Sequence, residues 1–361
     1  MAFGRRDESR ALGPGDIVRQ VGSMTTIRTD HSVPTDARGG PVPDPVVSVI
    51  IPCFRATATI ALQLEALAVQ HDAPPFEVIL VDNDRAQNLA EAIDGRFDSA
   101  SFALRVVTAH EHRGSSYARN VGIAHARADM LQFCDADDVV SQTWVRNGLL
   151  STRESSIWTG ESILLREEPF ENGLETVRRS FDEDPPEWRP PVDSQEGPFP
   201  VLMAGNFGAS RTALMQLRGF DQSFAHYGDD NDFAFRARRA GFRVPQAKSV
   251  RIAYRGKWSL RQRLRRGFHD ARARRRLLIV HGMTPASPVP PWPLDVLRSL
   301  GATVLLPMRR QVSPQDIALR WAYSLGNASG ALRFGWPHRA PQSTPGLGLD
   351  PGHKTERSTT S

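Results

Sequence analysis

Four short apolar runs, each followed by polar or helix-forming sequence, constrain this chain more than any other feature. VVSVIIP (46–52), FEVILV (76–81), residues 104–108 and MLQFC (130–134) have the length and β-branched or aromatic content of buried strands. Between the first two, Ile60, Leu64 and Leu67 recur at helical spacing with Ala61 and Ala68 beside them. Residues 86–97 read as a second helix, and Ser115 or Ser116 can cap a third that runs through residue 128. Strands and helices alternating at this pace predict an α/β fold on a doubly wound, mainly parallel sheet. Ligands bind such sheets beyond the carboxyl ends of the strands.

Two of these runs end in acid. The second closes on Asp82, Asn83 and Asp84, and the fourth on Asp135, Asp137 and Asp138. Side chains alternate along an extended backbone, so Asp135 and Asp137 point the same way and can share one hard divalent cation. Their mutual repulsion requires a cation against them, either metal or arginine. The plainer alternative is that Asp138 caps a helix beginning near Thr143. A third acidic group, Asp229, Asp230 and Asp232, opens a segment in which Phe233, Arg236, Ala237 and Ala240 space out as a helix. Acid in a first turn suits the helix dipole.

The later chain is looser. Residues 156–165 read as a strand pair, 181–200 as a loop over the site, 204–210 as a strand and 250–254 as a final strand. An arginine-rich helix is expected over 258–279, a proline-rich connector over 282–293, and one or two helices over 294–326. Residues 1–44 lack periodicity and are expected to be a disordered tail.

The 361 residues carry a net charge of +5, and only three of the 45 basic residues are lysine. Arginines concentrate between 251 and 276, a run that suits nucleic acid, a phospholipid surface, a polyprenyl phosphate or, most commonly, a solvated helix face. Neither a secretory signal nor a spanning helix is evident in the sequence, and a cytoplasmic protein is expected. Cys53 and Cys134 end apolar runs and are expected to be buried free thiols. Trp188 is the tryptophan best placed to stack on a sugar, while His110, His112 and His269 have no metal-ligand spacing.

In order and spacing, VSVIIPCF (47–54), EVILVDND (77–84), GSSYARNVGIAHA (114–126), LQFCDADDVV (131–140) and GFDQSFAHYGDDNDFAFRARRAG (219–241) resemble the family 2 inverting glycosyltransferases. The resemblance implies a glycosyltransferase A-type fold, a mixed, mainly parallel sheet flanked by helices, to which the sequence pattern adds a C-terminal helical extension. It implies a catalytic domain over 45–255, with a nucleotide-binding half (45–150) and an acceptor half (151–255). A helical extension over 256–336 and a disordered tail over 337–361 follow.

Position by position, it implies that Pro52, Phe54, Asp82, Asn83, Arg119, Asn120 and Asp135 bind the nucleotide-sugar. Asp137 ligates a divalent cation, Mn2+ or Mg2+, with Asp135 holding ribose or a metal-bound water, and Asp230 is the general base with Asp229 as competitor. Where the family usually shows Glu-Asp, this chain has Asp229-Asp230, which keeps the charge and shortens the reach.

The implied partners are a nucleotide-diphosphate sugar, UDP-linked by preference, and a hydroxyl-bearing glycan or lipid-linked acceptor. Membrane contact is expected through 251–276, and nucleic acid is not an expected partner. A haloacid dehalogenase reading of DADDV fails because no lysine precedes the second acidic cluster. A nucleotidyltransferase reading fails because CFRATAT (53–59) has no glycine. A non-catalytic sugar- or nucleotide-binding module of the same fold is the remaining alternative.

Overall fold

In the computed structural model the apolar runs become β1 (Val47–Cys53), β2 (Phe76–Asp82), β3 (Ala103–Thr108) and β4 (Met130–Cys134), separated by α1 (Ile60–Ala68), α2 (Leu89–Ile93) and α3 (Ser115–His125). There follow β5 (Val139–Val140), α4 (Trp144–Glu154), β6 (Ile157–Leu165), α5 (Glu167–Glu171), α6 (Leu174–Phe181), β7 (Asn206–Ser210) and α7 (Arg211–Gln216). After a 3₁₀ turn at Gln222–Phe224 come α8 (Asp229–Arg239) and β8 (Gln246–Arg255). Among the described residues these are followed by α9 (Leu260–Val280), α10 (Trp292–Leu305) and α11 (Pro314–Phe334). The structure describes residues 44–182, 187–193, 201–224, 227–256, 259–283, 289–305, 313–335 and 342–350. The tail expected over 1–44 lies outside them apart from Asp44.

The strands form one sheet in the order β3-β2-β1-β4-β7-β6-β8-β5. The first four pair in parallel, with Val47 opposite Phe76 and Met130, and β7 enters antiparallel against β4. Period-2 alternation in β1 sends Val49 and Ile51 to one core face and Ile50 to the other. Fully burying such a side chain contributes about 1.5–3 kcal/mol. On the Ile50 face α3 lies so close that a β-carbon at Gly122 would collide with Ile50. On the same side of β4, Phe133 and Phe207 stack at 4.3 Å, and Phe220 and Phe233 at 4.9 Å, bringing α8 down onto the sheet.

Asn206, on β7, ties that strand to β6, β8 and α4. It is fully buried, accepts from Trp144 Nε1 (2.9 Å) and donates to the carbonyls of Glu161 (2.8 Å) and Val250 (3.0 Å). Gly160, where a side chain would strike Asn206, leaves it room.

Several expectations need correction. The helix over 86–97 shortens to α2, capped by the Asn88 side chain and followed by Gly95 at φ +66°. Neither Ser115 nor Ser116 caps α3, because Gly114 at φ +134° occupies the cap. The strand pair over 156–165 is the single strand β6, with a register shift at Gly160/Glu161. Phe181 ends a helix instead of opening a loop, and Trp188 donates to the Ser151 hydroxyl of α4 (3.4 Å), so its indole packs on the scaffold. Residues 183–186 and 194–200 of that stretch lie outside the described residues.

Residues 342–350, read from sequence as part of a tail, pack against α3 and the corner before α8. The Leu347 carbonyl accepts from Asn120 (2.9 Å), and the Asp221 carboxylate accepts from Ser343 Oγ (2.5 Å) and Thr344 N (2.9 Å). Burial would raise the Asp221 pKa, but its donors from Ser223, Ser343 and Thr344 outweigh that and hold it below the ordinary carboxylate range.

Candidate active site

The carboxyl ends of β1, β2 and β4 open into a cleft of about 680 Å³ whose lining includes Pro52, Phe54, Asn83, Gly114, Asp135 and Asp137. Each of these comes from a strand end or the loop after it, the placement an α/β sheet favours. Phe54 is exposed, and the Arg113 guanidinium lies 4.6 Å from its ring centroid. An aromatic face beside a cation can stack a base and leave the charge near phosphate.

Arg119 is the centre of the arrangement. It leaves α3 almost fully buried, donating through Nη2 to Asp135 Oδ1 (3.1 Å) and through Nη1 to Asp229 Oδ2 (3.1 Å). Ser116, one turn earlier, donates to the same Asp229 oxygen (3.0 Å). The acid at the end of β4 and the acid at the start of α8, separated by 94 residues, therefore meet on one guanidinium. The sequence left metal or arginine open as the cation beside Asp135, and arginine is one answer. Burial raises the Asp135 pKa, Arg119 opposes that shift, and Asp137 adds to it. Asp135 also lies over Gly205, where a β-carbon would strike its Oδ2.

Asp229 and Asp230 divide their environments. Asp229 is held by two side-chain donors. Asp230 has its pKa pushed up to about 7, first by burial and then by the charge of Asp229, with Arg119 only partly compensating. A carboxylate that gains a proton near neutrality can take one from a hydroxyl. It does not line the 680 Å³ cleft itself.

Asp137 lines the cleft, and its carbonyl accepts from Arg255 Nε (2.9 Å). Asp138 is buried and accepts from Arg255 N (2.9 Å), so it pins this loop to β8 and caps no helix. Among the described residues no group of three or more His, Cys, Asp or Glu side chains could enclose a metal. Two carboxylates facing an open cleft nevertheless fit a hard cation that takes its other ligands from diphosphate and water.

The other expected binders stand at the edge of the cleft or behind it. Asp82 accepts from Asp84 N (3.0 Å), has His110 Nε2 3.2 Å from its other oxygen, and lies just outside the cleft lining. Asn83 borders the cleft, but its side chain ties the 109–114 loop together, donating to the carbonyls of Ala109 and His112 and accepting from Gly114 N. Asn120 is turned away altogether: fully buried, it bonds Phe220 on both N and O and also Leu347. Cys53 and Cys134 are buried free thiols whose pKa values burial raises.

Sequence reading missed Arg113 and Arg255 as site residues. Arg113 directly precedes the Gly-Ser-Ser element, which is a usable signal. Arg255 belongs by sequence to the 251–276 run, yet it sits over the Phe170 ring (4.4 Å), bonds Glu167 (2.6 Å) and fixes the acidic loop. Much of that run turns inward: Arg251 donates to the Phe181 carbonyl, Arg275 bonds Asn327 and Arg276 bonds Ser223. Arg261, Arg263 and Arg265 stay exposed.

Residues 48–153 match the family model described as glycosyl transferase family 2. A glycosyltransferase of Haloferax volcanii, AglE, is 34% identical over 106 residues, covering 29% of this chain and 34% of that protein. The chondroitin synthase of Pasteurella multocida is 24% identical over 233 residues, covering 55% of this chain and 24% of that one. The chain thus spans about a third or less of the length of these two relatives. A solved mannosyltransferase from Pyrobaculum calidifontis, in complex with GDP-Man and Mn2+, superposes with a TM-score of 0.50 at 18% identity, over 82% of this chain and 90% of that one. That likeness concerns the fold, which is of the glycosyltransferase A type. Over residues 48–153 the chain is thus similar to glycosyl transferase family 2.

Proposed function

We propose that this chain is a metal-dependent, inverting glycosyltransferase that moves a sugar from a nucleoside-diphosphate sugar to a glycan or lipid-linked hydroxyl. The observation that carries the reading is Arg119, bonded at once to Asp135 and Asp229. Such a bridge fixes the donor-side acid relative to the acceptor-side acid, which is the positioning a displacement at carbon requires.

Residues 45–150 form the donor half in this reading. Pro52 and Phe54 bound the nucleotide, with Arg113 over Phe54, while the backbone of Gly114 and Ser115 at the start of α3 faces the phosphates. Asp137, with Asp135, would hold the cation; bound there, Mn2+ or Mg2+ would offset charge developing on the departing diphosphate. The Mn2+ and GDP-Man bound by the archaeal mannosyltransferase support this class of cation and donor. A UDP sugar is the preferred donor, since Asp82 can accept from a base N–H or a ribose hydroxyl.

Residues 151–255 form the acceptor half. Asp230 takes the proton of the attacking hydroxyl, helped by a pKa of about 7. Asp229, held by Ser116 and Arg119, keeps the guanidinium in place. The reaction takes place on the cytoplasmic side, where nucleotide sugars are made.

A thermal-shift panel of UDP and GDP sugars with Mn2+, Mg2+ or EDTA tests the reading. One donor should raise Tm only with metal, stabilising the protein by about 2.7 kcal/mol at a concentration near 100 Kd. The same donor should then release nucleoside diphosphate on incubation. Binding without any release would assign a non-catalytic module, and no shift with any donor would reject the proposal.

A further inference from the structure

Helix α10 is amphipathic in the inverted sense. Asp295 accepts from the Asn327 side chain of α11 (3.0 Å), Ser299 is fully buried, and Thr303 accepts from Trp321 Nε1 of α11 (2.9 Å). These polar residues recur every fourth position and make one stripe, which meets α11, with Thr303 at its exposed end. The other arc is apolar and open to solvent: Leu294 is 41% exposed, Leu297 64%, Leu300 50% and Val304 71%. A surface helix of a water-soluble domain turns the opposite way, and a contiguous exposed apolar face marks a contact surface.

Charge identifies the occupant. Residues 256–335 contain fourteen Lys and Arg against three Asp and Glu, an excess of eleven, although the whole chain carries only +5. The remainder of the protein is therefore net acidic, and the positive charge gathers on the helical extension. Arg298 is exposed on α10, and Arg261, Arg263 and Arg265 are exposed on α9, which packs against α11. Trp292, 36% exposed, opens α10 in a position suited to a headgroup boundary. Two copies meeting through this region would set like charge against like charge, whereas an anionic bilayer offers acyl chains to the leucines and phosphates to the arginines.

We propose that α10 lies in the plane of an anionic lipid surface and docks the protein there through Leu297, Leu300 and Val304. No described helix is long and apolar enough to cross a membrane, so the contact is peripheral. The membrane contact expected of the arginine-rich run thereby moves to α10, with the exposed arginines of α9 in support.

Co-sedimentation of the full chain with phosphatidylcholine–phosphatidylglycerol vesicles, and with pure phosphatidylcholine vesicles, tests this directly. The chain should sediment with the mixed vesicles and far less with the neutral ones. The double variant Leu297→Ser, Val304→Ser should partition at least about tenfold more weakly, with unchanged circular dichroism and unchanged donor-dependent thermal shift. Failure of the parent chain to sediment with mixed vesicles would overturn the proposal, as would equal sedimentation of the variant. A dimer in analytical ultracentrifugation that the same substitutions dissolve, without vesicle binding, would assign the face to a second copy instead. None of these outcomes depends on whether transfer occurs.

Discussion

Asp230→Asn is expected to lower kcat by about 10²–10⁴-fold, the range of a general base, while leaving donor Kd nearly unchanged. The amide keeps the size of the side chain and cannot take a proton. In the parent protein kcat should rise with pH through about 7 and level off above it, because only the ionised carboxylate is competent. The same shift has a consequence for stability. The folded-state pKa lies above the unfolded value, so folding holds the proton, and this contribution is complete below about pH 4 and lost as pH rises through about 7. Asn should therefore make the protein more stable than the parent at pH 8, with the difference closing in acid. A loss of turnover in Asp229→Asn but not in Asp230→Asn, read in single-turnover assays, would move the base by one residue.

Arg119→Ala should be the most damaging single change for both folding and binding. It removes the guanidinium donor to the Asp135 carboxylate and one of two side-chain donors to Asp229, leaving the nearly buried Asp229 carboxylate with Ser116. Breaking a buried ion pair from one side costs about 3–5 kcal/mol, which is roughly 10 °C in Tm for a domain of this size. Donor binding should fall with it, since Asp135 loses its orientation. Arg119→Lys keeps the charge but cannot span both carboxylates with a rigid fork, so it should recover part of the stability and little of the donor affinity. Urea unfolding and calorimetry of both variants check the two effects separately. Full donor affinity in a folded Arg119→Lys protein would show that the bridge is structural only.

The strand-helix alternation of the first half was legible because its strands are short apolar runs and its first helix repeats apolar residues at helical spacing; the split of Ile50 and Ile51 between two core faces shows only in the structure. The acid pair at Asp135 and Asp137 was legible as side chains two apart on a strand end. What sequence could not carry was pairing across distance. Nothing local says that Asn120 and Asn83, inside motif-like stretches, turn their amides to backbone carbonyls and become braces. Nor does a run of Ser, Thr, Pro and Gly over 342–350 announce that Asp221 waits for two of its donors. In the arginine-rich helix, periodicity marks which residues share a face but not which face meets α11, so inward and outward arginines looked alike. The inverted polarity of α10 was hidden in the same way, because a stripe of Asp, Ser and Thr reads as the solvent side until its partners on α11 are known.

The claim beneath all of this is that the acid pair after β4 receives a donor diphosphate through a divalent cation. Calorimetry of the accepted nucleotide sugar with Mn2+, on the parent and on Asp137→Asn, measures it most directly. The parent should bind with metal and lose that binding in EDTA, and the folded Asp137→Asn protein should bind at least about 100-fold more weakly, as for loss of a charged ligand. Equal affinity of the two proteins in the presence of Mn2+ would contradict the account.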